Sequence, residues 1–447
     1  MICKKLLIKS LILKPKEITK GITTIRSFSK LINHQPKPRI LILKLDQKEP
    51  QLAGEIKITG SKSESNRLLL LQALFGGFKI ENLSNSHDSQ VMQKALASKE
   101  KTVDIHHAGT AMRFLTAYFA AFEGRETILT GSSRMQERPI GLLVDALRDL
   151  GADISYMNNE GYAPLLIKGK KLTKSTVSFA ANVSSQYISA LMMVGASLPN
   201  GIEIDLVGQI TSVPYIEMTR SLLTQLGIES SFEGQQINIK PAGAINVSEM
   251  VVESDWSSAS YYYSLVALCD KAKLKISSYK ENSLQGDSVL AELYQKLGVE
   301  TTFEANAVTL EKVEKPKPRR VEFDLANSPD IAQTIAVTCY GLGVGCDLYG
   351  LHTLKIKETD RLEALKAELT KLGAHISVTD KSLHLEGETN FQSDVTIKTY
   401  QDHRMAMAFA PFALRAPILF EDAEVVNKSY PDFWEDLHAL GFKISEV

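Results

Sequence analysis

Cysteine is scarce and unpatterned. Cys3, Cys269, Cys339 and Cys346 are the four in 447 residues, and no two stand at a spacing that ligates a metal or marks a redox pair. The last three sit among apolar residues, which argues against a disulfide-stapled fold and for a reducing cytoplasm. No resident metal is expected. Apolar runs are short as well: none reaches the ~18 residues of a membrane helix, so 111–122 and 188–198 are expected as core helices and no membrane partner is expected. The phosphate loop G-x-x-x-x-G-K-[ST] is missing, which removes the commonest nucleotide site and leaves no cofactor to expect. Net charge is nearly absent, at −1. That figure hides an asymmetry. Residues 1–40 hold ten Lys and Arg against the single Glu17, a surplus of nine, so the rest of the chain stands near −10. An acidic body offers no field for nucleic acid, and any anion it binds must be held by cations gathered locally.

The leader 1–40 has apolar stretches too short for a secretory segment and no small-residue cleavage site. It is expected to be a disordered tail or an over-long start, with a transit peptide or a basic arm as the alternatives. Beyond it, 44% hydrophobic composition in a chain of this length predicts two or three globular domains. One phrase recurs: an amphipathic helix ending in Leu-Gly, then a short β-branched strand. It stands at Leu150-Gly151, Leu226-Gly227, Leu297-Gly298, Leu372-Gly373 and Leu440-Gly441, where the glycine supplies the left-handed residue that closes a helix. A degenerate sixth copy without glycine is expected over 92–105. Spacings of roughly seventy residues exceed those of solenoid repeats, so each copy is a small α/β unit and six units suggest two domains of three.

The starts of the helices carry the chemistry. Ser61 and Glu64 before an apolar run form a capping-box pattern, placing Lys62 and Ser63 in a first helical turn with Arg67 one turn behind. Helix N–H groups, a hydroxyl, an ammonium and a guanidinium then serve an anion together. Polar or small residues also open the expected helices near Gly109, Ser184-Ser185-Gln186, Ser257, Lys357 to Arg361 and Asp402-His403-Arg404. Taken singly, each has a plain structural account. Lys357, Glu358 and Arg361 have the spacing of an ion-pair lattice on an exposed helix; Asp330 and Ser184 read as caps; His403 reads as a hydrogen-bonded histidine.

Taken in order, the motifs say more. Gly60-Ser-Lys62-Ser63-x-Ser-Asn-Arg67, Ala108-Gly109-Thr110-Ala-Met-Arg113, Arg134-Met-x-Glu137-Arg138-Pro139, Ser184-Ser185-Gln186, Ser212-Val-Pro-Tyr215, Pro329-Asp330, Lys357-Glu358-Thr-Asp360-Arg361, Asp402-His403-Arg404 and Lys428 together resemble the 5-enolpyruvylshikimate-3-phosphate synthase family from about residue 40 onward. The resemblance implies an α/β fold of two similar domains, each of three βαβαββ-type units in an inverse-barrel arrangement, with the site in the cleft between them. By analogy one domain spans 61–252 and the other 41–60 plus 253–447. The implied reaction joins phosphoenolpyruvate to shikimate 3-phosphate and releases phosphate, in a cytoplasmic monomer without nucleic-acid partner. It further implies that Lys62, Ser63, Arg67, Ser184, Ser185, Gln186, Ser212, Tyr215, Asp330 and Lys357 hold shikimate 3-phosphate. Lys62, Gly109, Arg138, Gln186, Arg361, Arg404 and Lys428 would hold phosphoenolpyruvate, and Asp330, Glu358 and Lys62 would move protons.

Residue types fit that chemistry. Two substrates bearing phosphate and carboxylate repel one another unless cations and helix termini intervene. His107, Phe114 and Thr353 depart from the usual Asn, Pro and Asn, so the grip on the anions is expected to differ there. The sister enzyme that uses UDP-N-acetylglucosamine is an alternative, but it relies on a loop cysteine and none falls between Cys3 and Cys269. A non-catalytic binding relative would not need Asp330 and Glu358.

Overall fold

The computed structural model describes residues 41–47, 51–180, 184–208, 210 and 213–447. The basic leader and Ser212 lie outside the described residues, together with the expectations made for them. At the five Leu-Gly junctions, Gly151, Gly227, Gly298, Gly373 and Gly441 take φ of 106°, 81°, 82°, 100° and 94°. This left-handed backbone is cheap for glycine alone. Each turns a helix into the edge strand of a sheet: Asp153–Tyr156, Ser230–Glu233, Val299–Glu304, Ile376–Val378 and Lys443–Glu446.

All five of those sheets share one plan. In the first, Thr102–Asp104 runs parallel to Glu126–Thr130, which pairs antiparallel with Leu165–Lys168, which pairs antiparallel with Asp153–Tyr156. A parallel pair needs a helical crossover and an antiparallel pair a hairpin, so this order is what a βαβαββ unit must produce. The sheet holding Lys443–Glu446 is completed by Ile42–Asp46, which pairs with both Ile418–Glu421 and Lys443–Glu446 and so joins the two ends of the described chain. The sixth sheet has two strands, Lys79–Glu81 parallel to Glu249–Val251. The expected copy at 92–105 is therefore not a repeat of the phrase. Its strand, Thr102–Asp104, opens the next unit, and the sixth unit has no hairpin of its own.

Three sheets draw their strands from within 79–251 and three from 42–56 and 271–446. One apolar core, from Leu68 to Val252, fills the first group. Two strands of chain pass between the groups side by side: Ser61 N donates to Glu253 O at 2.7 Å and Gly60 bridges Ser254. A Cβ on Gly60 would lie 1.8 Å from Asn82 O, so only glycine fits this crossing. Inside each group run helices that are buried on every side, such as Trp256–Leu268 and Ala332–Leu342, which pack on one another. All-round apolar character makes them bundle cores rather than surface helices. Among the described residues no helix is long and apolar enough to cross a membrane.

Candidate active site

The helix Lys62–Phe75 starts as expected, with Ser61 Oγ accepting from Glu64 N. Only half the capping box forms. Glu64 instead accepts from Glu253 N at 3.2 Å across the crossing, and burial with the nearby Glu253 pushes its carboxyl up to about 7. Lys62 and Ser63 face a cavity of about 310 Å³ that also collects the first turns of helices Gly109–Ala121, Gly141–Asp149, Ser185–Gly195, Trp256–Leu268, Arg361–Lys371 and His403–Phe409. Seven Lys and Arg and four Asp and Glu line it, a local basic excess inside an acidic body. Helix N-termini add partial positive charge of their own. Neither Ala108 nor Ile140 gives a side-chain cap, so the leading N–H groups of the Gly109 and Gly141 helices stay available to an anion.

One wall of the cavity is a web of ion pairs. Arg361 is 2% exposed and reaches three carboxylates: Asp402 at 2.7 Å, Asp330 at 2.8 Å and Glu358 at 3.1 Å. Asp330 also meets Arg404 at 3.1 Å and Lys357 at 3.5 Å, and accepts from Tyr215 at 3.5 Å. Glu358 meets Lys428 at 2.7 Å. Burial would raise both carboxyls, but the cations overcome it. Arg404, Lys357 and Arg361 hold Asp330 well below its ordinary range, and Lys428, Arg361 and Arg138 do the same to Glu358.

The wall from 61–252 holds its buried arginines on neutral oxygens. Arg67 donates to Thr219 Oγ1 (2.8 Å), Ser63 O (2.8 Å), Ser189 Oγ (2.9 Å) and Tyr215 O (3.3 Å). Arg113 donates to Gly109 O and Pro139 O. Burial lowers both guanidiniums to about 10, helped at Arg113 by the neighbouring Arg138. Arg138 lies so close to Gly109 that a Cβ there would stand 2.7 Å from Nη1. Gln186 crosses to Thr110 Oγ1 at 3.0 Å, while Ser184 Oγ caps the helix that Ser185 begins. Lys62 is held 3.4 Å from Asp88.

Of the residues expected at the site, Lys62, Ser63, Arg67, Gly109, Arg138, Ser184, Ser185, Gln186, Tyr215, Asp330, Lys357, Glu358, Arg361 and Arg404 line this one cavity, and Lys428 reaches it through Glu358. Three local expectations fail. Lys357 and Glu358 precede the helix Arg361–Lys371, which Asp360 caps, so no exposed helical lattice exists. Asp330 lies in the short 3₁₀ turn Pro329–Ile331 and caps nothing. His403 is buried with neither ring nitrogen hydrogen-bonded, and burial beside Lys62, Arg404 and Lys428 holds it well below the usual imidazole range. Asp402 and Arg113 were visible in their motifs and carry more of the site than the motifs suggest. The Thr353 Oγ1 lies buried at the cavity without a hydrogen-bond partner among the described residues, and Phe114 packs beneath the Arg67 guanidinium at 5.6 Å.

Residues 91–437 match the family model for EPSP synthase (3-phosphoshikimate 1-carboxyvinyltransferase). The chain is 46% identical over 398 residues to a 3-phosphoshikimate 1-carboxyvinyltransferase of Bacteroides fragilis strain YCH46, covering 88% of this chain and 97% of that protein. A protein of the same name from Haemophilus influenzae strain PittEE is 35% identical over 421 residues, covering 87% and 96%. The fold is that of EPSP synthase from Acinetobacter baumannii (TM-score 0.75, 19% identity, 91% of this chain and 100% of that one). It is also that of the enolpyruvyl transferase NikO from Streptomyces tendae (TM-score 0.70, 16% identity, 91% and 99%). With a family model spanning most of its length and curated relatives matched nearly end to end, the chain belongs to the EPSP synthase, or 3-phosphoshikimate 1-carboxyvinyltransferase, family.

Proposed function

We propose that this cleft transfers the enolpyruvyl group of phosphoenolpyruvate to the 5-hydroxyl of shikimate 3-phosphate, releasing inorganic phosphate. The observation that carries the reading is the pairing of Asp330 and Glu358 with cations in a cavity ringed by helix N-termini. Binding alone would need the cations and not the carboxylates. In this reading the Lys62, Ser63, Arg67, Ser184, Ser185, Gln186, Ser212, Tyr215 and Lys357 set takes shikimate 3-phosphate. Phosphoenolpyruvate lies against the uncapped start of the Gly109 helix, with Lys62, Gln186, Arg138, Arg361, Arg404 and Lys428.

The chemistry then follows from what the substrates displace. Their negative charges take over Arg361, Arg404, Lys357 and Lys428, which loosens the hold on Asp330 and Glu358 and raises both carboxyls. Asp330 becomes a usable base and accepts the proton of the 5-hydroxyl as its oxygen bonds to C2 of the enol. Glu358, now able to carry a proton, delivers it to C3, with Lys62 as a second carrier. The Glu358 carboxylate then takes a proton back from C3 as the bond between C2 and the phosphate oxygen breaks, which restores the double bond, and the proton held by Asp330 leaves with the phosphate. Residues 61–252 form one domain in this proposal and 41–60 plus 253–447 the other, working as a cytoplasmic monomer.

The test is phosphate release from phosphoenolpyruvate in the presence of shikimate 3-phosphate, of UDP-N-acetylglucosamine, and of neither. Release with the first acceptor alone is expected. Release with the second, or with none, overturns the assignment.

A further inference from the structure

Beside the cleft lies a second cavity of about 410 Å³, which shares Arg138 and Glu358 with it and is faced by His87 and His107. His87 and Asp88 open the helix His87–Ala97, while His107 stands two residues ahead of the Gly109 helix. Nothing in the sequence spacing pairs them; the fold does. One donor atom from each of His87, Asp88 and His107 lies within 4.8 Å of the others, and the two imidazole rings are 5.4 Å apart. Asp88 is 2% exposed, and its Oδ1 has no hydrogen-bond partner among the described residues. Leaving a buried carboxylate oxygen unpaired is costly unless something outside the chain satisfies it.

From this juxtaposition we infer that His87, Asp88 and His107 form a binding site for a divalent transition-metal ion of the zinc class. Two imidazoles and one carboxylate suit Zn²⁺ or Co²⁺, whereas Mg²⁺ and Ca²⁺ favour oxygen donors throughout. Tetrahedral coordination sets donors about 3.3 Å apart, a distance that rotation of the half-buried His87 and exposed His107 side chains supplies. Three protein ligands leave a position open to the cavity. The ion competes with Lys62 for Asp88, whose Oδ2 now lies 3.4 Å from the ammonium. Freed from Asp88, Lys62 turns to the substrates. That consequence, unlike the site, rests on the function proposed above.

Co²⁺ titration of the full-length protein, stripped of metal with chelator and dialysed, tests the site by visible d–d absorption and does not depend on turnover. One equivalent is expected to bind, to give the spectrum of low-coordinate Co²⁺ and to be displaced by Zn²⁺. His87→Ala and His107→Asn should each weaken binding at least about tenfold, with His106→Ala, on the exposed neighbour, as the control that keeps it. Circular dichroism verifies folding, and if one variant fails to fold the other decides. No stoichiometric Co²⁺ binding by the native chain, or binding that a folded His87 or His107 variant leaves unchanged, overturns the inference.

Discussion

The two walls of the cleft solve the same problem in opposite ways. On the wall built from the second half of the chain, Arg361 and Arg404 sit against Asp330, Glu358 and Asp402, and their guanidiniums are raised above the ordinary range despite burial. On the wall built from 61–252, Arg67 and Arg113 are as deeply buried but rest on hydroxyls and carbonyls, and burial lowers them to about 10. The first wall is self-neutralised and holds the carboxyls that the proposed mechanism uses. On the second, Lys62 meets Asp88 but Arg67 and Arg113 have no carboxylate ion pair among the described residues. In the proposed mechanism a dianionic ligand completes the second wall and disrupts the first, and by this asymmetry ligand binding reaches Asp330 and Glu358.

Removing a carboxylate should break the comparison most severely. Asp330→Asn is expected to lower kcat on the order of 10³-fold, and Glu358→Gln by 10²-fold or more, with KM for phosphoenolpyruvate changed little. Steady-state kinetics would show it, and normal turnover in Glu358→Gln would remove that residue from the mechanism. Removing a cation should then separate the walls. Arg361→Gln strands the buried Asp402, while Asp330 keeps Arg404 and Lys357 and Glu358 keeps Lys428, and should destabilise the fold by about 3–5 kcal/mol in urea. Arg138→Gln strands none. It should leave stability nearly intact while raising KM for phosphoenolpyruvate about 10- to 100-fold.

The crossing between the groups offers a pH test. Glu64 is raised from 4.5 to about 7 in the folded chain. It therefore stays protonated while the unfolded chain ionises, so stability is greatest below about 4.5 and falls until pH passes about 7. Glu64→Gln should remove that loss, worth about 3 kcal/mol, so that the variant gains on the native chain in urea at pH 8 and the gain fades toward pH 4.5. Smallest of all is Gly109→Ala. Its Cβ would press on Arg138 Nη1 at 2.7 Å, and the guanidinium is a flexible end that can move. KM for phosphoenolpyruvate should rise by about threefold with kcat unchanged, a shift under 1 kcal/mol.

Much of this was legible beforehand. The five Leu-Gly junctions announced the repeat because only glycine takes the left-handed turn cheaply, and all five glycines do so. The Lys62 helix start was equally readable, since capping is a property of three or four neighbouring residues. Where local pattern failed, a distant partner had intervened. Glu64 left its capping role for Glu253, and the presumed lattice of Lys357, Glu358 and Arg361 became contacts with Asp330, Lys428 and Asp402. The apparent sixth copy of the repeat dissolved because its strand pairs forward into the next unit.

By itself, then, the sequence determined where five of the helices close, where the Lys62 helix starts, and which basic and acidic side chains are available for anion chemistry. These follow from backbone preference and short-range spacing. Only the tertiary structure decided which cations meet carboxylates and which meet carbonyls, that Arg67 turns inward, and that His87, Asp88 and His107 converge. Charge compensation and metal ligation depend on distances of a few ångströms between residues far apart in the chain, and those distances exist only once the units have packed.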